Sequence, residues 1–140
     1  MTLTKIVCIV LLVFAGGWGR FGQNKGSKTG TEEARSTIAG VWSGHSVCED
    51  KNSPCHDEVN VYRFSSVPGS PYEFRVTASK VVDGKEIVMG TGEWKYDEKT
   101  KVVESEKPAI RLTIDRGKME GALRLPDGSV YRRIYLEKEN

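Results

Sequence analysis

Apolar and polar residues alternate with a period of two along most of this chain, and this pattern restricts the chain to β structure. The alternation begins near Ile38 and is clearest over Tyr72–Ser79, Gly92–Tyr96, Ile110–Ile114 and Met119–Leu125. A strand directs successive side chains to opposite faces, so each run has one apolar face and one polar face. No stretch after Ala39 keeps a helical period. The pattern predicts an all-β domain.

Turn residues divide this domain into about eight strands. Asp83-Gly84 and Asp127-Gly128 are typical of two-residue type I′ turns, because both residue types tolerate a positive φ. The predicted strands are Ile38–Val47, Glu58–Ser65, Tyr72–Val82, Glu86–Gly90, Gly92–Asp97, Ala109–Asp115, Lys118–Leu125 and Val130–Lys138, and Val102–Glu104 extends one of them. Sequential hairpins make an antiparallel meander, and eight such strands close into a barrel without edges. A two-layer β-sandwich is the alternative.

The N-terminus has the pattern of an export signal. Met1–Lys5 is short and basic, Ile6–Phe14 is apolar throughout, and Ala15-Gly16-Gly17 supplies small residues near a cleavage point. The apolar run is shorter than the roughly 20 residues that span a bilayer, although an uncleaved anchor is the alternative. We therefore expect a signal peptide over 1–22, a flexible polar leader over 23–37 and a β-barrel over 38–140. The leader could include one helical turn at Thr31–Ala39.

Removal of the signal peptide changes the charge balance. The chain has 21 Lys and Arg residues against 19 Asp and Glu residues. Two of the basic residues, Lys5 and Arg20, lie within the first 22 positions, which contain no acid, so the remaining chain is neutral. A neutral protein lacks the electrostatic footprint for nucleic acid. We expect no nucleic-acid partner, no membrane span after cleavage, and a secreted or periplasmic location.

Two cysteines remain after cleavage, Cys48 and Cys55. An even pair in an exported protein predicts a disulfide. His45 and His56 flank the pair as H-x2-C-x6-C-H, which contains the ligand types of a zinc site. The oxidising compartment favours the disulfide, so we expect no metal site and no cofactor.

Catalytic motifs are not evident in the sequence. The two histidines both lie near the cysteines, no serine sits in G-x-S-x-G, and no dinucleotide or P-loop pattern occurs. The carboxylates fall on polar faces or in loops, as solvated surface charge does. We therefore expect that the protein is not an enzyme. An enzyme built on the same barrel is the least favoured hypothesis for its function.

The last strand carries two adjacent arginines. If Val130, Ile134 and Leu136 face inward, then Arg132 points into the barrel, where it could bind a ligand carboxylate or lie across Trp42. In the opposite register Arg133 and Tyr135 are inward. A rim arginine that reaches water along its apolar stem is the third interpretation.

Two short elements are similar to known barrel families. Gly40-Val41-Trp42 resembles the Gly-x-Trp element that opens the first strand of lipocalins and related calycins, and Arg133-Ile134-Tyr135 is similar to the Arg-x-Tyr near the end of fatty-acid-binding proteins. The resemblance implies a barrel whose Trp packs at the closed end beneath an arginine from the last strand. It also implies an Arg-x-Tyr pair that holds a lipid carboxylate.

These observations favour an exported, non-enzymatic, calycin-like barrel that binds a small apolar or amphipathic ligand. The predicted ligand-binding residues are Trp42, Tyr72, Phe74, Trp94, Tyr96, Arg132, Arg133 and Tyr135. The alternative is a protein-interaction module, an inhibitor or envelope assembly factor, built on a solid barrel. Its partner would contact the Cys48–Cys55 loop and the Pro68–Pro71 loop.

Overall fold

The computed structural model describes residues 28–140, which form one helix and eight strands. The predicted signal peptide over 1–22 and the first part of the leader lie outside the described residues. The elements are α1 (Lys28–Ile38), β1 (Gly40–Cys48), β2 (Glu58–Val67), β3 (Ser70–Val82), β4 (Lys85–Asp97), β5 (Val102–Ser105), β6 (Ala109–Asp115), β7 (Lys118–Arg124) and β8 (Val130–Lys138).

The strands form a closed antiparallel barrel in the order β1 to β8, and β1 pairs with both β2 and β8. This confirms the predicted meander barrel and excludes the sandwich. Because the order is sequential, the connections alternate between two ends. The connections at 68–69, 98–101 and 116–117 lie at the end where α1 joins β1, here called the closed end. The loops at 49–57, 83–84, 106–108 and 125–129 lie at the opposite, open end.

Strand β4 is continuous, whereas the sequence predicted two strands separated near Gly90. Gly90 and Gly92 interrupt the apolar pattern, and this suggested a strand end. In the structure the register shifts at this point, so that Ser79 faces Val88 and Ala78 faces Gly90. This is a β-bulge, a place where glycine is tolerated within a strand. Residues Val102–Glu104, predicted as an extension of a neighbouring strand, belong to the separate strand β5 (Val102–Ser105), so the count of eight strands is retained.

The turn at Asp83-Gly84 has positive φ at both residues, 50° and 73°, as a type I′ turn requires. The turn predicted at Asp127-Gly128 is present, but its predicted type I′ geometry was wrong, because only Gly128 has a positive φ. There the Gly128 N–H donates to the Leu125 carbonyl at 2.9 Å, which puts Pro126 at the first central position of a wider turn. Leu125, predicted to face inward, is therefore exposed.

Aromatic side chains fill the closed half of the barrel. The Phe64 ring makes edge-to-face contacts with Trp42, Phe74 and Trp94, at centroid distances of 6.5, 6.4 and 5.6 Å. Each such contact stabilises the fold by about 0.5–1.5 kcal/mol beyond the free energy gained from burying apolar area. All four rings are buried, so this half of the barrel is a solid core.

Helix α1 covers the closed end. Ala34 and Ile38, one turn apart, are buried against the core, and the Trp42 Nε1–H donates to the Ile38 carbonyl at 2.8 Å. The helix is longer than the single predicted turn at Thr31–Ala39. Over 28–37 it replaces the flexible leader that the polar composition suggested, because two apolar residues at helical spacing suffice to anchor it.

Lys138, at the end of β8, holds the C-terminus of α1. Its Nζ donates to the carbonyls of Ser36 and Thr37 at 2.6 and 3.1 Å, and it lies 5.8 Å from the Trp42 ring centroid. A cation here pairs with the unsatisfied carbonyls and with the helix dipole. Burial lowers the pKa of Lys138. The cation over Trp42 is thus Lys138, whereas the resemblance implied an arginine.

Gly121 is required by the close approach of β6. A Cβ at Gly121 would collide with the Arg111 carbonyl, whereas a Cβ at Gly90 would meet no atom within 4 Å. We expect Gly121→Ala to lower the free energy of unfolding by about 1–3 kcal/mol, as overpacking does. Gly90→Ala, the matched control, should change it by less than about 0.5 kcal/mol. Urea unfolding followed by fluorescence measures both, and equal effects would contradict this account of Gly121.

Candidate functional site

The open half of the barrel contains a cavity of about 380 Å³. Its apolar wall comes from Val76, Ala78, Met89, Ile110, Leu123 and Ile134. Its polar wall includes Ser46, Glu58, Asn60, Ser105 and Arg132. The floor is formed by Tyr62 and Trp94, whose rings meet edge to face at 5.8 Å above the aromatic core.

Arg132 points into this cavity and only 10% of its side chain is exposed. Its Nη1 donates to the Ser46 hydroxyl at 3.0 Å and to the His56 carbonyl at 2.8 Å, and lies 3.7 Å from Glu58 Oε2. Both hydrogen bonds therefore use one nitrogen. The N–H groups of Nε and Nη2 belong to the same rigid fork, which suits a carboxylate or phosphate.

Glu58 is shared between two cations. Its Oε2 faces Arg132, and its Oε1 lies 3.8 Å from Lys80 Nζ. Only 15% of the Glu58 side chain is exposed, so the carboxylate has lost most of its contact with water. The ion pairs with Arg132 and Lys80 offset this desolvation cost. With Lys107 also at the wall, the charges around the cavity sum to a positive value. The site therefore favours an anionic group.

Tyr62 is a neutral hydrogen-bond donor at the cavity floor. Burial raises its pKa to about 12; the Arg132 charge opposes this shift and the Glu58 charge adds to it. The phenol consequently keeps its proton throughout the physiological range. It can donate to a ligand oxygen without adding negative charge.

Asn60 lies between Glu58 and Tyr62 on the inward face of β2 and is 2% exposed. Its Oδ1 has no hydrogen-bond partner within the described residues. A buried amide oxygen without a partner costs about 1–3 kcal/mol. Because Asn60 lines the cavity, this acceptor is available to a ligand donor group.

The Cys48–Cys55 disulfide is present, as predicted, with the two Cα atoms 5.8 Å apart. It pins the loop that supplies the His56 carbonyl to Arg132. The Cys48 N–H donates to Asp57 Oδ1 at 3.0 Å, which closes the base of the same loop. Within residues 28–140 no group of three or more His, Cys, Asp or Glu side chains could hold a metal ion.

The predicted ligand-binding residues separate into four groups, of which the first three lie inside the barrel or at its closed end. Arg132 and Trp94 line the cavity. Trp42, Phe74 and Tyr96 face inward as expected, but they are buried in the closed half. Tyr72 is half-buried at the closed end, where its hydroxyl donates to Glu98 Oε2 at 2.9 Å.

Arg133 and Tyr135 face outward, so the alternative register for the last strand was wrong. The Arg133 Nε–H donates to Glu49 Oε1 at 3.0 Å, and the Tyr135 ring stacks on His45 at 5.2 Å. The Arg-x-Tyr pair therefore does not occupy the interior. The inward position belongs to Arg132, because Ile134 and Leu136 are both buried.

Three residues of β2 complete the site and were not among the predicted ligand-binding residues: Glu58, Asn60 and Tyr62. Alternation over Glu58–Phe64 could have put them on one face. Their proximity to Arg132 depends on the pairing of β8 with β1. A local sequence pattern does not predict that pairing.

Comparison with known proteins supports the fold alone. No family model matches the sequence, and no curated protein matches it. A solved structure of a redesigned β-barrel is similar, with a TM-score of 0.54 and 21% identity, over 76% of this chain and 96% of that one. The chain is a closed eight-stranded β-barrel. This likeness does not assign it to the lipocalins or calycins. None of the helices in the described part is long and apolar enough to cross a membrane.

The raised pKa of Tyr62 predicts a loss of stability in alkali. The unfolded phenol ionises near pH 10.0, whereas the folded one ionises near pH 12. The contribution of Tyr62 is therefore complete below pH 10 and decreases as pH rises through about 12, by roughly 3 kcal/mol in all. Urea unfolding of wild type and Tyr62→Phe between these pH values should show the wild type falling more steeply. Parallel curves would contradict the assignment.

Proposed function

We propose that this protein is an exported, non-enzymatic barrel that binds a small amphipathic molecule with an anionic group. The observation that carries the proposal is the inward, incompletely used guanidinium of Arg132 in a cavity with apolar walls. A cavity of about 380 Å³ lies within the range of roughly 300–1,000 Å³ found for small-molecule sites.

The arrangement of groups supports a particular orientation of the ligand. An anionic head would pair with Nε and Nη2 of Arg132, and the Tyr62 hydroxyl would donate to the same head. The apolar tail would contact Val76, Ile110 and Leu123 on the facing walls. Glu58 does not oppose this arrangement, since Arg132 and Lys80 already balance its charge.

A protein-interaction module remains the second candidate, with the disulfide loop as its contact surface. That hypothesis assumed a solid barrel. A cavity in the open half favours the ligand-binding candidate, because filling that space with side chains would stabilise a barrel that serves only as a scaffold.

Export is supported by the Cys48–Cys55 disulfide, because such bonds persist in oxidising compartments. We expect the protein recovered from the exported fraction to have lost its N-terminal residues up to a point between Ala15 and Gln23. Its mass should also be lower than that of the reduced chain by two hydrogen atoms, because the two thiols are oxidised to one disulfide. Intact-mass spectrometry before and after reduction tests both expectations, and retention of Met1 would contradict export with cleavage.

Arg132 and Arg133 offer a matched pair for testing the binding site. Arg132→Met should weaken decanoate binding roughly ten- to hundredfold, because charged hydrogen bonds contribute about 1.5–3 kcal/mol. Arg133→Met removes the same charge from the outer face and should leave binding unchanged. Titration can be followed by the fluorescence of Trp94 at the cavity floor, with decanol as the uncharged ligand of equal chain length.

The outcome distinguishes binding inside the cavity from general electrostatic attraction of the ligand to the protein surface. Binding of decanol should be much less sensitive to Arg132→Met than binding of decanoate. Native mass spectrometry of the exported protein should also show a discrete small molecule that is released on denaturation. Equal losses in the two arginine variants, or wild-type affinity in Arg132→Met, would overturn the proposed site.

A further inference from the structure

Asn60 is a polar residue of the cavity wall that neither the fold nor the ligand orientation described above makes use of. It is 2% exposed, it lines the cavity, and its Oδ1 has no hydrogen-bond partner within residues 28–140. By contrast, Glu58, the preceding inward residue of β2, is held by Arg132 and Lys80. A buried acceptor without a partner lowers stability, whereas an apolar side chain of similar size would not. This oxygen therefore indicates a ligand group that donates a hydrogen bond to it.

The position of Asn60 on β2 determines which part of the ligand it would meet. Glu58, Asn60 and Tyr62 are successive inward residues, about 7 Å apart along the strand. The Arg132 Nη1 atom lies 3.7 Å from Glu58 Oε2, on one side of Asn60, and Tyr62 lies on the other side, at the cavity floor. A carboxylate bound by Arg132 and Tyr62 therefore has Asn60 beside it. The carbons next to the carboxylate are the ones that pass the amide.

The donor group that suits Asn60 is neutral and small. Arg132, Lys80 and Lys107 make the surroundings positive, which disfavours a ligand ammonium. An amide N–H would bring a carbonyl oxygen that requires a partner of its own. A hydroxyl donates one hydrogen bond and adds no charge. A plain alkyl chain, in turn, would exclude water from the amide and leave Oδ1 unpaired, which costs affinity.

We propose that the ligand is a fatty acid with a hydroxyl on its second or third carbon, and that Asn60 selects it. This inference rests on the function proposed above, since Arg132 must first bind the carboxylate. The hydroxyl donates to Asn60 Oδ1 and satisfies the buried acceptor that a plain fatty acid leaves unpaired. The hydroxylated acid should therefore bind roughly five- to a hundredfold more tightly than the plain acid of equal chain length.

Enantiomers test this selection with hydrophobicity and charge held constant. The ligands are the (R) and (S) forms of 2-hydroxydecanoate and of 3-hydroxydecanoate, with decanoate as the reference, titrated into the wild type and followed by tryptophan fluorescence. Two mirror-image ligands differ only in where they direct the hydroxyl, so a difference in affinity must come from the site. We expect one form to bind at least about fivefold more tightly than both decanoate and its own mirror image. Its O-methyl ether, which cannot donate a hydrogen bond, should lose this gain.

Asn60→Leu removes the amide at nearly constant side-chain volume. It should bring the affinities of the preferred hydroxy acid, its mirror image and decanoate to within about twofold of one another, because no acceptor remains at this position. Asn52→Leu, the matched control, makes the same change on the exposed disulfide loop and should retain the wild-type ratios. A residue that acted only by shaping the cavity would change all the affinities together and leave their ratios as they are. Circular dichroism verifies that both variants fold.

The outcomes separate this inference from the proposed function. If neither decanoate nor any hydroxylated acid binds, both are wrong. If decanoate binding depends on Arg132 but no hydroxylated acid binds more tightly, only the selection by Asn60 is overturned. A preference that persists in Asn60→Leu would overturn that selection as well. The enantiomers and the ether are compared in the wild type, so these measurements decide the matter even if Asn60→Leu does not fold.

Discussion

The packing of aromatic rings around Phe64 determines how the interior of this barrel is divided. An eight-stranded barrel is just wide enough for its own side chains to fill it. In the closed half, Trp42, Phe74 and Trp94 meet the Phe64 ring and leave no room for a ligand. At the level above, the inward positions carry small or polar residues such as Ser46, Asn60 and Ala78. One half is therefore a core that supplies stability, and the other is a cavity that the core supports from below.

The charged group in the open half is costly in terms of stability. A cation inside a barrel loses its hydration, and an apolar residue of similar size at the same position is often neutral or stabilising. Arg132 is held by Ser46, by the His56 carbonyl and by Glu58, which in turn contacts Lys80. These partners come from β1, β2, β3 and the disulfide loop. A network that draws on so many elements keeps one cation facing the cavity, as expected if the cavity binds the anionic ligand proposed for it.

Period-two alternation was enough to predict the barrel and the inward faces of most strands, because each strand is buried on one side only. Alternation could not predict how far along the barrel axis an inward residue lies. Trp42, Phe74 and Tyr96 were correctly assigned inward, yet they lie in the core, whereas Trp94 reaches the cavity. The last strand was ambiguous since apolar residues occur on both of its faces around Arg132 and Arg133. The helix was underestimated because its anchor consists of only Ala34 and Ile38.

The hydrogen bonds from Lys138 to the C-terminus of α1 join the two ends of the domain. The carbonyl of Ser36 and the ammonium that binds it are 102 positions apart in the chain. A polypeptide is synthesised N-terminus first, so α1 emerges long before Lys138, the residue that secures it. The bottom of the barrel is thus sealed only after the final strand has arrived and β8 has met β1. Until then the chain has neither a complete core nor a closed cavity. The cavity in the open half is therefore assembled only once the whole chain is present.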